Sequence, residues 1–529
     1  MSVHVAGVGT SLRVQWRTGW KASLAWVLGL TAVVLTTTTS ITGLYDTPDK
    51  LRSYSESIAT PALRMLNGDV AGVGTLGGVL VNELGFVVAF AVPLLAIAMT
   101  VRGTRREEEA GRLELLLASR VGRQAPLAAS VVIALATLLA LGLLVTAAFL
   151  AAGAQTRGSL VYGAAVVVLG AVFVGVAAVL AQALGHQRSV WGAALAVVVV
   201  SYLVRGVGAV DDNGLVWLSP HGWYDEAAPF GEPRFAPFVL GVVATAALVA
   251  LSLRLSAGRD VGGSLVPARP GPHRASAGLL TPLGLAVREH RGVVLGWAVV
   301  AGVLMGTYGS LSQTVIDAFE GNPDLEAFLS GGGADGIVEP MAAMFVLLLA
   351  VLVAGFVLQS LGSLRKEEVS GRLELQLSEA RSRTAWLAPH LLVVAAGTVV
   401  VGVVGALALA VSTAVVLDDA AWIARICGAA AAYLPVALLL GGVSLALFGW
   451  VPRAQAAVWG LFAVAAVVGY MGPGLDLPTW LLEGAPFGLV GQVPAQDLDI
   501  TGALVAAVGG VLLVGLGLLG FGRRDVPHR

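Results

Sequence analysis

The stretch REEEAGRLELLLASRVGR, Arg106 to Arg123, returns 260 positions later as KEEVSGRLELQLSEARSR, Lys366 to Arg383, with nine of eighteen residues identical. Both copies are dense in charge, yet only 12% of the 529 residues are charged and 57% are hydrophobic. Soluble domains carry about a quarter charged residues, so most of this chain belongs in a bilayer. A charged segment kept twice in such a chain marks a duplication, and its place in the hydropathy pattern sets the fold.

Apolar stretches long enough to cross a membrane, about 20 residues each, begin near Ala22, Val79, Pro126, Leu160, Ser189, Phe235, Gly292, Pro340, Leu387, Ala421, Ala454 and Ile500. With the amino terminus inside, alternate threading puts 25 of the 32 Lys and Arg on the inner side. It leaves Lys50, Arg52, Arg64, Arg157, Arg205, Arg234 and Arg425 outside or within spans. This is the positive-inside bias, and one missed span would invert every later loop. The charged copies then fall between spans 2 and 3 and between spans 8 and 9, both inside, so the repeat is parallel. Other pairs recur at similar offsets: WGAAL from Trp191 with WGLFA from Trp459, and Trp217 plus SPHGW (Ser219 to Trp223) with Trp480 plus APFGL (Ala485 to Leu489).

The expected fold is an all-α polytopic membrane protein of about twelve transmembrane helices in two parallel six-helix repeats. The halves are 1–256 and 281–529, joined at 257–280 by a cytoplasmic linker rich in Gly, Pro and Arg. Both termini are expected in the cytoplasm. The first apolar run is longer than a signal-peptide core and no small-residue cleavage pattern precedes Tyr45, so it reads as a permanent span. Only Lys21, Lys50 and Lys366 are lysine, an arginine bias typical of GC-rich actinobacterial coding, so the expected setting of this membrane chain is a bacterial plasma membrane. The lone Cys427 excludes an internal disulfide, and a net charge of -1 offers no basic excess for nucleic acid.

Read as one helix, each copy sets Glu108 four residues before Arg112 and Glu368 four before Arg372. The acid is then on the favourable amino-terminal side, worth about 0.2 to 0.5 kcal/mol. Leu113 with Leu117, and Leu373 with Leu377, form a short apolar ridge. Gly111 and Gly371 occupy the same place in both; glycine inside a helix costs about 1 kcal/mol against alanine, so its repetition points to a bend or a close backbone approach. A helix lying among anionic headgroups would be repelled by Glu107, Glu108, Glu109 and Glu114, or by Glu367, Glu368, Glu374 and Glu379. Mixed charge around an apolar ridge suits a protein partner better.

The pattern E-E-x-x-G-R-L-E-L after the second span of each of two six-span halves resembles the fused permeases of type-2 ABC exporters, in particular actinobacterial polyketide-antibiotic and multidrug exporter permeases. The resemblance covers nearly the whole chain. It implies two coupling helices that dock two copies of a separate ATP-binding subunit: Glu107, Glu108, Gly111, Arg112, Leu113, Glu114 and Leu117 in the first, Glu367, Glu368, Gly371, Arg372, Leu373, Glu374 and Leu377 in the second. ATP and Mg would be held by that subunit, with no cofactor on this chain. It also implies an exit gate of short outer helices at about Val216 to Trp223 and Trp480 to Leu489, through Trp217, Pro220, Trp223, Trp480, Pro486 and Leu489. Export of drugs or antibiotics is what the resemblance implies, with lipid or peptide export as the alternative within the class.

A phosphate-binding loop needs a lysine followed by Ser or Thr, but Lys21, Lys50 and Lys366 precede Ala22, Leu51 and Glu367. The chain is therefore expected not to be an enzyme by itself. The rival reading is an ion-coupled secondary transporter of the major-facilitator type, also two parallel six-span halves. Ion coupling generally needs an ionisable group inside the membrane, and no span has a carboxylate at its middle: Glu83 and Glu339 lie near outer ends, His390 near an inner end. A membrane enzyme would lean on Asp211 with Asp212, or Asp418 with Asp419, outer-loop acids without a histidine cluster. Tyr202, Phe356, Phe448, Trp459 and Tyr470, with Glu83 and Glu339, are the candidate lining of a cavity for hydrophobic cargo. The opposing reading is that the aromatics pack and that a helix dipole accounts for the two acids.

Overall fold

A computed structural model describes residues 6–45, 47–58, 64, 67–119, 121–211, 213–266, 273–313, 316, 338–378, 382–472 and 478–525. Asp212, Glu379 and residues 267–272 of the linker lie outside them. The chain divides into two compact units, Met1–Gly271 and Pro272–Arg529. Spans 1 to 6 of the first are Val8–Leu44, Leu76–Gly103, Ala125–Ala151, Thr156–Ala183, Gln187–Val210 and Ala236–Gly258. Spans 7 to 12 of the second are Pro282–Ser310, Val338–Val369, Arg383–Val416, Ala421–Trp450, Pro452–Tyr470 and Ile500–Arg523. Twelve helices are thus long and apolar enough to cross a membrane, and the described residues include no strand. The protein is an all-α, multi-pass membrane protein.

Span 7 starts at Pro282, ten residues before the expected Gly292, because its first turns carry Arg288, Glu289 and Arg291, which lower hydropathy while Thr281 caps the helix. Two further departures from the sequence expectation have local causes. Span 1 starts at Val8, well before the apolar run at Ala22, because its first turns are amphipathic: Arg13, Arg17 and Lys21 share them with exposed Trp16 and Trp20. Such turns add helix without adding hydropathy. Span 10 is two helices, Ala421–Ala432 and Leu434–Trp450. Pro435 has no N–H to continue the first helix but suits the opening turn of the second. The hydroxyl of Tyr433, at the break, donates to the Gly491 carbonyl at 2.7 Å.

Within the first unit the core gathers on span 2, where Leu80, Leu84, Leu95 and Ile97 are fully buried, together with Phe149, Tyr162 and Phe173. Within the second it gathers on span 8, and the Phe448 and Phe521 rings stack at 5.2 Å. Spans 10 and 12 approach through Gly442 and Gly449 on one side and Gly510 and Gly517 on the other. A Cβ at Gly449 would stand 2.3 Å from the Gly517 carbonyl oxygen, and one at Gly442 2.8 Å from that of Gly510. Seven residues are about two turns, so the small residues fall on one face of each helix, and close backbone packing substitutes for a hydrophobic drive that lipid does not provide.

Candidate functional site

Each charged copy is an elbow rather than one helix. In the first unit Arg105–Glu109 and Arg112–Leu117 are separate helices, with Gly111 between them at φ 70°. In the second, span 8 runs to Val369 and Arg372–Leu377 follows Gly371 at φ 76°. A residue with a Cβ would lose roughly 1–2 kcal/mol in that left-handed conformation, which explains glycine at both places. The bend resets the helical phase, so the expected pairing of Glu108 with Arg112 and of Glu368 with Arg372 does not occur. Instead Arg112 donates Nε and Nη2 to the two Glu107 oxygens at 2.7 Å each, and Arg372 does the same to Glu367 at 2.7 and 2.5 Å. The carboxylate bond raises each guanidinium above its usual pKa.

Freed from that pairing, the second glutamate of each copy turns inward. Glu108, with its side chain 4% exposed, meets Arg105 at 3.1 Å, accepts from Arg259 Nη1 and Nη2 at 2.7 and 2.9 Å, and accepts the Gly262 N–H at 2.7 Å. Glu368, 3% exposed, meets Arg365 at 3.0 Å and accepts from both Arg524 terminal nitrogens at 2.8 Å. Arg259 and Arg524 each follow directly on the last span of their half. Each elbow is thereby clamped to the end of span 6 or span 12 by fork-to-carboxylate bonds, among the strongest hydrogen bonds a protein makes. Sequence reasoning passed over both arginines; the available signal was an arginine immediately after the final span of each repeat.

The leucines also divide differently from the expected ridge. Leu373 is fully buried, and Leu113, Leu117 and Leu377 are half-buried, whereas Leu115 and Leu375 are 76% and 72% exposed. The outward apolar side chains of the R-L-E-L sequence are therefore the second leucines. Glu114 is exposed and Glu374 half-buried.

The other candidate segments are short helices. Gly214–Leu218 is a 3-10 turn and Pro220–Glu226 a helix capped by Ser219, whose hydroxyl accepts from the His221 and Gly222 amides. Trp223 Nε1 donates to the Trp217 carbonyl at 2.7 Å. The anchor is His221, which stands within SPHGW and carries no role in the sequence reading: its buried ring bonds Ser201 of span 5 at 2.7 Å and the Ala89 carbonyl of span 2 at 2.8 Å. In the second unit Thr479–Gly484 and Gly488–Val490 are the matching pieces, with buried Ala485 and Phe487 where the first unit has Ser219 and His221. Trp480 is exposed, while Pro486 and Leu489 are half-buried.

Among the candidate cavity residues, Phe356 and Phe448 are fully buried inside the second unit and fill its core, so they line no opening. Tyr202 is buried too, against Phe90 at 4.7 Å and under the Arg205 guanidinium at 4.4 Å. Trp459 and Tyr470 are exposed on span 11. The acids part company: Glu339 lies in the first turn of span 8, 3.2 Å from Arg425, whereas exposed Glu83 is the eighth residue of span 2 and accepts the Tyr54 hydroxyl. A helix dipole acts within the first turn, so it suits Glu339 and not Glu83. Among the described residues no group of three or more His, Cys, Asp or Glu is arranged to hold a metal ion.

Twelve spans in two units, each with a clamped charged elbow and short helical pieces between its fifth and sixth spans, define a polytopic membrane protein of duplicated plan. The sequence profile of the family described as "Multidrug efflux system permease Rv1217c, C-terminal domain" matches residues 8–255 and 279–522, and the chain belongs to that family. It is similar to the multidrug efflux system permease protein Rv1217c of Mycobacterium tuberculosis (strain ATCC 25618 / H37Rv), at 31% identity over 508 residues, which is 95% of this chain and 92% of that protein.

Proposed function

We propose that the chain is the transmembrane subunit of an ATP-driven ABC exporter that moves hydrophobic or amphipathic molecules, of the drug or antibiotic kind, out of a bacterial cell. Two copies of a separate ATPase dock on the elbows at Glu107–Leu117 and Glu367–Leu377, bringing their own ATP and Mg. Both termini lie on that cytoplasmic side. The observation that carries this reading is the same elbow built twice, with the same glycine bend, the same outer ion pair and the same inner clamp. An engine of two nucleotide sites that close as a pair needs two handles, and a lysine-poor chain without a phosphate-binding loop needs an engine from elsewhere.

The clamps give the handles a mechanical consequence. Because Glu108 and Glu368 are tied to the ends of spans 6 and 12, a push on an elbow is passed to a membrane helix rather than absorbed in a loop. Exposed Leu115 and Leu375 supply apolar contact to the partner, and the charged rim around them fixes its register. The spans offer apolar surface and little charge, so a strongly polar cargo would lose its hydration without compensation. The outer segments around Trp217, Pro220 and Trp223, and around Trp480, Pro486 and Leu489, close the exit.

Purification from a native host in mild detergent tests the proposal: a soluble ATPase is expected at two copies per chain. L115D with L375D should remove it while yield and insertion are unchanged. A chain that purifies without any ATPase and still transports would contradict the reading.

A further inference from the structure

Beneath the first elbow lies a cavity of about 450 Å3, within the size range of small-ligand sites, roughly 300–1,000 Å3. Its rim carries Arg102, Arg106 and Arg112, and its walls run up spans 1, 2 and 3 through Gln15, Met99 and Ile133. Three of the four acids that would repel an anion there are already engaged, and the fourth, exposed Glu114, does not line the cavity. Glu107 is held by Arg112, Glu108 by Arg105 and Arg259, and Glu109 by the Gln187 amide at 2.6 Å. Arg102 donates to the Thr18 carbonyl at 2.7 Å. Among the described residues no carboxylate is paired with either Arg102 or Arg106.

The second unit carries different side chains at the matching place. At an offset of 260, Arg102 corresponds to Gly362, Gly103 to Ser363 and Ser130 to His390. The buried His390 ring lies 3.2 Å from His290 and packs on Trp386 at 4.9 Å. In the first half Gly103 lets the spans approach closely beside the cavity, where a Cβ would fall 2.5 Å from the Ser130 hydroxyl and 2.8 Å from the Gln15 side-chain oxygen. At the matching place the second half carries imidazole and indole instead of a hydroxyl and a proline.

We infer that this cavity is a binding site for an anionic glycerophospholipid, with the phosphate on Arg102 and Arg106 and an acyl chain along Met99 and Ile133. Three features select a lipid over a soluble anion or a protein side chain. One cavity carries both basic side chains and an apolar wall, with Met99 about one helical turn from Arg102 on span 2. The walls belong to membrane spans. Trp16 and Trp20, both exposed on the span 1 turns that line it, mark headgroup depth. Basic pockets between helices at this level suit acidic headgroups. The lipid would seat the first elbow alone, making the two handles chemically unequal.

The test uses the full chain without any ATPase, so it stands apart from the proposed function. Hydrogen exchange is measured in nanodiscs of phosphatidylglycerol, in nanodiscs of phosphatidylcholine, and in phosphatidylcholine with added inorganic phosphate. Phosphatidylglycerol alone is expected to slow exchange at residues 102–117 at least fivefold, leaving 362–377 unchanged. R106Q, at an exposed side chain, and I133W, which fills the apolar wall while keeping every arginine, should each abolish the difference. Equal protection in phosphatidylcholine, equal protection of both elbows, full effect from inorganic phosphate, or persistence of the effect in both variants would overturn the inference.

Discussion

Replacing Glu108 with glutamine should loosen the first elbow far more than replacing Glu107, although the two are adjacent glutamates. Glu108 is 4% exposed and satisfies Arg105 and Arg259, whose side chains are 1% and 10% exposed. Neutralising it leaves two guanidiniums without their counter-charge, and breaking a buried pair in this way costs about 3–5 kcal/mol. Taking 3 kcal/mol, because the amide oxygen can still accept one bond, local opening should become roughly 150-fold more frequent. Glu107 faces Arg112, which is 54% exposed; such pairs contribute about 0–1 kcal/mol, roughly fivefold at most. Hydrogen exchange over residues 104–118 and at Gly262 reads both. E108Q should accelerate exchange there and leave 365–378 untouched, and E368Q should do the reverse. Equal, small effects from E107Q and E108Q would show that the inner clamp does not hold the elbow.

Three further outcomes follow from the same geometry. L373A, at a fully buried side chain, should destabilise the second unit by about 2–5 kcal/mol, whereas L375A should leave thermal stability unchanged and weaken ATPase association. G449V should separate spans 10 and 12 at a cost of about 1–3 kcal/mol, seen as a lower melting temperature, because its first side-chain carbon already meets the Gly517 carbonyl. Trp223 and Leu489 replaced together by alanine should raise basal ATPase activity or leak cargo if the outer segments seal the exit; normal insertion, transport and basal activity would remove that role.

The sequence pattern resolved the twelve spans because each is long and apolar, and located both elbows because their charge repeats. It failed on the pairing inside the elbows: a 3.6-residue period assumes one helix, and the left-handed turn at Gly111 and Gly371 moves Arg112 and Arg372 to Glu107 and Glu367. Arg259 and Arg524 lie about 150 residues from the glutamates they hold, a separation that no local pattern bridges. Periodicity also cannot distinguish an aromatic that fills a core, as Phe356 and Phe448 do, from one that lines an opening. His221 looked like an ordinary residue of the SPHGW segment until its partners on spans 2 and 5 came together around it.

The energy source is the most direct test of the account. Proteoliposomes are prepared with the chain alone and with whatever ATPase copurifies with it, and movement of a fluorescent amphiphile is followed with ATP, with vanadate, and with a proton gradient followed by a protonophore. Transport is expected only with the ATPase and ATP, to stop with vanadate, and to be indifferent to the protonophore. Gradient-driven, protonophore-sensitive transport by the chain alone would contradict the account and establish a secondary transporter instead.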